Sequence, residues 1–110
     1  MGSFVKGEVV VLPFPFSDLS DSKRRPALVL AKLSGDDLIL CMITRSPRDR
    51  DSIPLTDADF VSGQLNQASH IRTNRLFTAD SNLIYYSVGK LKPHKLEEVI
   101  NKVIDIFTRH

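Results

Sequence analysis

Up to about residue 88 the apolar positions of this chain come in short β-branched runs, whereas beyond Pro93 they recur at three- and four-residue steps. The first rhythm predicts strands and the second a helix. Gly7-Glu8-Val9-Val10-Val11-Leu12 reads as a first strand, ended by the punctuation from Pro13 to Pro15. A long loop, Phe14 to Arg25, follows it. Strands are predicted over 26–33 and 37–44, with Ser34-Gly35-Asp36-Asp37 as the hairpin turn between them. Ser52-Ile53-Pro54-Leu55-Thr56 alternates like a short strand, and its proline suits a sheet edge. Residues 57–68 read as loop or a short helical turn, and further strands are predicted near 69–73, 75–78 and 83–88. Leu96, Val99, Ile100, Val103, Ile104 and Phe107 then share one face of a helix that starts near Pro93. That face should pack on the sheet, leaving Lys95, Glu98 and Lys102 on a solvated side. The pattern therefore predicts a mainly β domain with one C-terminal helix, consistent with a small, strongly curved barrel.

Length narrows this to one domain, since 110 residues of which 42% are apolar support a modest single core. No apolar stretch approaches the roughly 20 residues that cross a bilayer, and Met1-Gly2-Ser3 lacks the charged and apolar regions of a signal peptide. The expected location is the cytoplasm, with no membrane partner. Cys41 is the single cysteine, so no internal disulfide can form, and its place in Leu38-Ile39-Leu40-Cys41-Met42-Ile43 favours a buried, inert thiol.

A net charge of +2 is too mild to indicate a polyanion partner, but its distribution is uneven. Seven basic residues lie between Lys23 and Arg50 (Lys23, Arg24, Arg25, Lys32, Arg45, Arg48 and Arg50) against three acids, Asp36, Asp37 and Asp49. Such a focus attracts a polyanion where the chain average would not. Asp49 and Asp51 partly offset Arg48 and Arg50, so that stretch fits a self-paired loop equally well. Within the focus, Lys23-Arg24-Arg25-Pro26 closes the first long loop. Pro26 holds the residue before it extended, so Arg25 stands at a strand mouth with a restricted backbone, as a phosphate clamp requires. Phe14 and Phe16 fit either core positions beneath the loop or an apolar wall for a base.

Gly7-Glu8-Val9-Val10, Phe14-Pro15-Phe16-Ser17-Asp18-Leu19, Arg24-Arg25-Pro26-Ala27-Leu28-Val29-Leu30, Ile43-Thr44 and His70-Ile71-Arg72-Thr73 occur in that order. With Arg75-Leu76-Phe77-Thr78 and Gly89-Lys90-Leu91, this series resembles the PemK/MazF-like toxins of bacterial toxin-antitoxin systems, over nearly the whole chain. The resemblance implies an SH3-like barrel of the CcdB/PemK type and a homodimer. It also implies a metal-independent endoribonuclease that needs no cofactor, cuts single-stranded RNA, and is neutralised by a cognate antitoxin with which it binds DNA. The family's arginine before proline falls on Arg25, and its threonine at the end of the third strand falls on Thr44. The substrate-binding set it implies is Phe16, Ser17, Asp18, Lys23, Arg24, Arg45, Ser46, Arg48 and Arg72. Two departures bear on cleavage sequence and rate: the first loop is a short Phe-Pro-Phe-Ser-Asp-Leu form, and Arg45 directly follows Thr44 where other members carry a small or polar residue.

The chemistry also sets requirements of its own. Cutting RNA without metal uses the neighbouring 2′-hydroxyl, so the protein must position the phosphate, stabilise added charge on its oxygens and manage two protons. Arg25 suits the second task, because a guanidinium offers a planar fork of donors and stays charged. It cannot act as base, since it holds its proton above about pH 12. Thr44 can donate a hydrogen bond but does not titrate. His70 is the best local candidate for the base, the other histidines being His94 at the helix start and His110 at the chain end. Two other classes fit the same residues: a non-catalytic SH3-like module that binds RNA or protein, and a gyrase-poisoning toxin of the related barrel type. The latter would depend on the helix end, where Phe107-Thr108-Arg109-His110 shows no special feature.

Overall fold

The computed structural model describes residues 3–14, 23–46 and 49–109, with Lys23 described in its backbone only. Among the described residues seven strands form one antiparallel sheet in the order β4-β6-β3-β2-β1-β7-β5. They are β1 Glu8–Phe14, β2 Lys23–Lys32, β3 Asp37–Thr44, β4 Ser52–Leu55, β5 Phe60–Gly63, β6 Ser69–Asp80 and β7 Tyr86–Leu91, followed by helix α1, Pro93–Thr108. The sheet is curled, and its curvature has identifiable sources in four register breaks. β2 skips Leu30 against β3, β7 skips Val88 against β1, β5 skips Val61 against β7, and the β3–β6 ladder jumps from Cys41↔Leu76 to Met42↔Arg72. Extra residues on one strand of a pair bend it and increase its twist.

Both faces of the central strands are covered, which explains why β1–β3 read as nearly unbroken apolar runs. One face carries Val9, Leu28, Cys41, Ile43, Ile71 and Leu91, closed over by Val99 of α1 with Leu96, Ile100 and Val103. The other carries Val10, Leu12, Phe14, Ala27, Val29, Leu38 and Leu40, with Phe77 edge-on to Phe14 at 5.1 Å between ring centroids. Phe14 is thus a core residue. Cys41 is fully buried, and that burial pushes its thiol up to about 12, so it is not a nucleophile at neutral pH.

The predicted elements hold with six differences. β1 runs on through Pro13 to Phe14, and β2 begins at Lys23, so Arg24 and Arg25 are strand residues paired with Pro13 and Leu12 rather than the end of a loop. The segments 69–73 and 75–78 are one strand, bent at its bulge. Residues 57–68 contain a strand, β5, too short to announce itself. The last strand starts later than predicted because Ser81–Leu83 form a tight turn, with the Asp80 carboxylate accepting from the Asn82 N–H at 2.8 Å. Finally, Ile104 and Phe107 on the helix's apolar stripe stay 52% and 73% exposed. Lys95 and Lys102 are paired rather than simply solvated. Lys95 reaches Asp59 at 3.7 Å and Glu98 at 3.4 Å, and Lys102 reaches Asp51 at 3.6 Å.

Candidate active site

The β1–β2 register sets Arg25 opposite Leu12 and Pro26 opposite Val11, while on its other side β2 pairs with β3 only from Ala27↔Met42 onward. Pro26 thus sits where the β2–β3 ladder has opened, so its missing N–H costs no rung there. Continued in the same register, that ladder would bring Thr44, the last residue of β3, across from Arg25. The ladder ends here, and Arg25 and Thr44 both line a cleft of about 630 Å³. Arg24, Arg25, Thr44, Arg45 and Ser46 line it together with Gln64, Asn66, Gln67, Ser69 and Tyr86, over an apolar floor that includes Val11, Leu65 and Val88. Three of the lining side chains are arginines, and none of the described ones is an acid or a histidine. The Nε of Arg25 is buried with no hydrogen-bond partner, and Arg25 forms no ion pair among the described residues. A charged donor left in that state is held ready for an acceptor that the described residues do not supply. Arg24 lies over the ring of Tyr85, its guanidinium carbon 4.7 Å from the centroid.

The far wall comes from the segment that gave no clear reading in the sequence. β5 ends at Gly63, which pairs with Gly89 of β7. A Cβ on Gly63 would lie 1.9 Å from the Val88 carbonyl oxygen, at a φ of +79° that only glycine adopts freely. A Cβ on Gly89 would likewise meet the Ser62 carbonyl oxygen at 2.3 Å. This contact brings Gln64 against β7, where its N–H donates to Val88 O at 3.2 Å, and turns Gln64-Leu65-Asn66-Gln67 into the cleft. Two donors of Arg45, Nε and Nη2, face the Gln67 amide at 2.7 and 3.2 Å, which assigns the amide oxygen rather than its nitrogen to that side as their acceptor. Three amides in four residues were the available signal, but without the glycine contact nothing in the sequence connects them to Arg25.

Behind the cleft, the stretch after Arg45 and Ser46 is pinned by acids. The buried Asp51 receives both Nη atoms of Arg109, at 2.9 and 3.0 Å, and its carbonyl accepts from Thr73 Oγ1 at 2.8 Å. The Arg109 hydrogen bonds, with Lys102 beside them, hold the Asp51 carboxyl below the usual carboxylate range against the opposing effect of burial. Arg109 is correspondingly raised. Asp49 accepts from Asn74 Nδ2 at 2.9 Å and lies 3.5 Å from Arg72, and the Asn74 hydrogen bond leads in lowering its carboxyl. The helix end therefore does carry a special feature, which only the fold reveals: Arg109 clamps a loop 58 residues earlier in the chain. Both acids pair away from Arg50, which is exposed and makes no ion pair among the described residues.

Arg72 thus stands outside the cleft, against Asp49. His70 faces Thr44 across the β3–β6 ladder but does not line the cleft either, and its Nδ1 is buried without a partner. Phe16, Ser17, Asp18 and Arg48 lie outside the described residues. Among the described residues no three His, Cys, Asp or Glu side chains gather where they could hold a metal ion.

A profile of the PemK-like, MazF-like toxins of type II toxin-antitoxin systems matches residues 5–107. The chain belongs to that family. No curated protein sequence matches it. Among solved structures, a mycobacterial endoribonuclease in complex with its cognate antitoxin superposes with a TM-score of 0.75 at 11% identity, covering 98% of each chain. The MazE–MazF complex of Deinococcus radiodurans gives 0.68 at 21% identity over 96% of this chain and 95% of that one. The Mycobacterium tuberculosis toxin MazF-mt6 gives 0.68 at 20% identity over 90% and 93%. These likenesses establish the MazF-type fold, a curled antiparallel sheet with one C-terminal helix. No helix among the described residues is long and apolar enough to cross a membrane.

Proposed function

We propose that this PemK/MazF-like toxin is a metal-independent endoribonuclease acting on single-stranded RNA. The observation that carries the reading is the convergence of Arg25 and Thr44 in a cleft lined by three arginines and no described acid. In the step we infer, the 2′-oxygen of one nucleotide bonds to the adjacent phosphorus as the bond to the 5′-oxygen breaks, leaving a 2′,3′-cyclic phosphate and a 5′-hydroxyl. One proton leaves the 2′-hydroxyl and one reaches the departing oxygen. Arg25 donates to the phosphoryl oxygens as their charge grows, and the Thr44 hydroxyl adds a second donor beside it. Arg24 and Ser46 hold the flanking backbone, and Arg45 contacts the same RNA from beside Thr44. His70, across the ladder from Thr44, is our candidate for the base; to act, its imidazole must reach the cleft in the RNA complex, since catalytic contacts are often completed only on binding.

Two partners follow from the family. A second copy would cover the apolar groove where the exposed Ile104 and Phe107 of α1 meet Leu76 and Phe77. An acidic antitoxin segment would compete with RNA for the basic cleft. The deciding experiment incubates purified protein with mixed single-stranded RNA in EDTA. Cutting is the expected result, with fragments ending in cyclic phosphate. Binding without cutting would favour the non-catalytic module, and inhibition of gyrase without cutting would favour the gyrase-directed alternative.

A further inference from the structure

Arg45 differs from the other two cleft arginines in being held by an amide. Its Nε and Nη2 both donate to the single oxygen of Gln67, which fixes the plane of the guanidinium while leaving its charge whole. A carboxylate in that place would fix the plane and cancel the charge. Of the five N–H donors of a guanidinium, three remain, including one on each Nη, and that pair forms the end-on fork. For the phosphate the cleft already supplies Arg24 and Arg25. Fixing the plane discriminates when the partner is itself planar and presents two acceptors on one edge. The surroundings agree: Gln64, Leu65, Asn66 and Ser69 supply amides, an apolar contact and a hydroxyl, and Tyr86 adds a ring. Such groups line a base pocket more naturally than a phosphate site.

We propose that Arg45, oriented by Gln67, reads a guanine of the single-stranded RNA through its O6 and N7, which present two acceptors on one edge. The inference rests on the ribonuclease reading and deepens it by naming a base. Arg45 touches the substrate; Gln67 is a positioning residue. Neither takes part in the phosphoryl chemistry, so both should shape where the protein cuts more than how fast it cuts its best sequence.

The test sequences the ends of fragments from a random single-stranded RNA library, transcribed with guanosine or with 7-deazaguanosine, which lacks the N7 acceptor. The wild-type protein should favour guanine at one fixed position relative to the cut, and 7-deazaguanosine should weaken that preference about tenfold, as loss of one limb of a bidentate base contact does. Gln67→Leu and Arg45→Lys should flatten the same position and leave others unchanged, while Gln67→Glu, which still accepts both donors, should retain it. A profile with no guanine position, or with one indifferent to the deaza base or to Gln67→Leu, overturns the proposal. If the wild-type protein cuts nothing, the ribonuclease reading fails by itself. Fluorescence anisotropy on guanine and 7-deazaguanine oligonucleotides then decides the base contact: tighter binding of guanine that Gln67→Leu abolishes supports it, and equal binding overturns it.

Discussion

Arg25→Ala should separate activity from stability in opposite directions. The side chain ends in a cleft with two other arginines, so its removal leaves most of the long-range attraction for RNA in place and KM should change little. What disappears is the donor that meets the phosphoryl oxygens as their charge grows. Loss of one such donor costs about 2.7–4 kcal/mol of transition-state stabilisation, or roughly 10²–10³ in kcat. The fold should not suffer. Nε of Arg25 is buried with no partner among the described residues, and an unsatisfied buried donor costs a protein about 1–3 kcal/mol, so deleting it removes a penalty rather than a bond. The variant should melt at the wild-type temperature or above it while cutting RNA at least a hundredfold more slowly at saturation. Arg25→Lys should restore little, since an ammonium cannot present two parallel donors. The assay pairs single-turnover cleavage of a fluorescent oligonucleotide with a thermal melt of the same preparation. Wild-type cleavage by a well-folded Arg25→Ala protein would refute the assignment, and a large drop in melting temperature would refute the claim that Arg25 is an uncompensated charge held for substrate.

Three further predictions concern the frame around the cleft. Asp49 and Asp51 have folded-state carboxyls held below the usual value of about 3.9. The stability they add is therefore complete above about pH 4 and is lost as pH falls through their lowered values. In melts from pH 2 to 7, Asp51→Asn should be less stable than wild type at neutral pH and converge with it in acid; a gap that persists at pH 2 would show that the clamp is not electrostatic. Neutralising Arg50, or Arg48 beside it, should reduce the slope of log K against log salt by about 0.7 for each phosphate contact removed while sparing the saturated chemical step; an unchanged slope would take that residue out of the RNA path. Light scattering should give about twice the chain mass of 12.4 kDa, and Phe107→Asp should halve it; a wild-type monomer at micromolar concentration would rule out the homodimer.

The parts of this site that could be read from the sequence are those set by neighbours in the chain. Arg25 precedes a proline, so its extended backbone and place beside a strand follow from local sterics, and Thr44 closes an apolar run whose length marks a strand end. The other components depend on contacts between distant segments. Gln64, Asn66 and Gln67 reach the cleft only because Gly63 and Gly89 allow two backbones to approach more closely than any side chain permits, and neither glycine reveals its partner by its own surroundings. β6 read as two strands because its three extra residues interrupt the alternation, although the same interruption bends the sheet.

The partners of Asp49 and Asp51 were not legible in the sequence for a related reason. Arg48, Asp49, Arg50 and Asp51 alternate in sign and so resemble a self-neutralising loop, yet both acids turn away, Asp51 to the end of α1 and Asp49 to Arg72 and Asn74 of β6. This leaves Arg50 with no ion pair among the described residues while anchoring the backbone at Asp49 and Asp51 to the rest of the protein. The three arginines of the cleft are therefore held by three separate devices: Arg25 by the β1–β2 register, Arg24 by the face of Tyr85, and Arg45 by an amide on a loop that two glycines seat. None of these devices is an acid, and that is why the cleft can be rigid and still keep its positive charge for an anionic ligand.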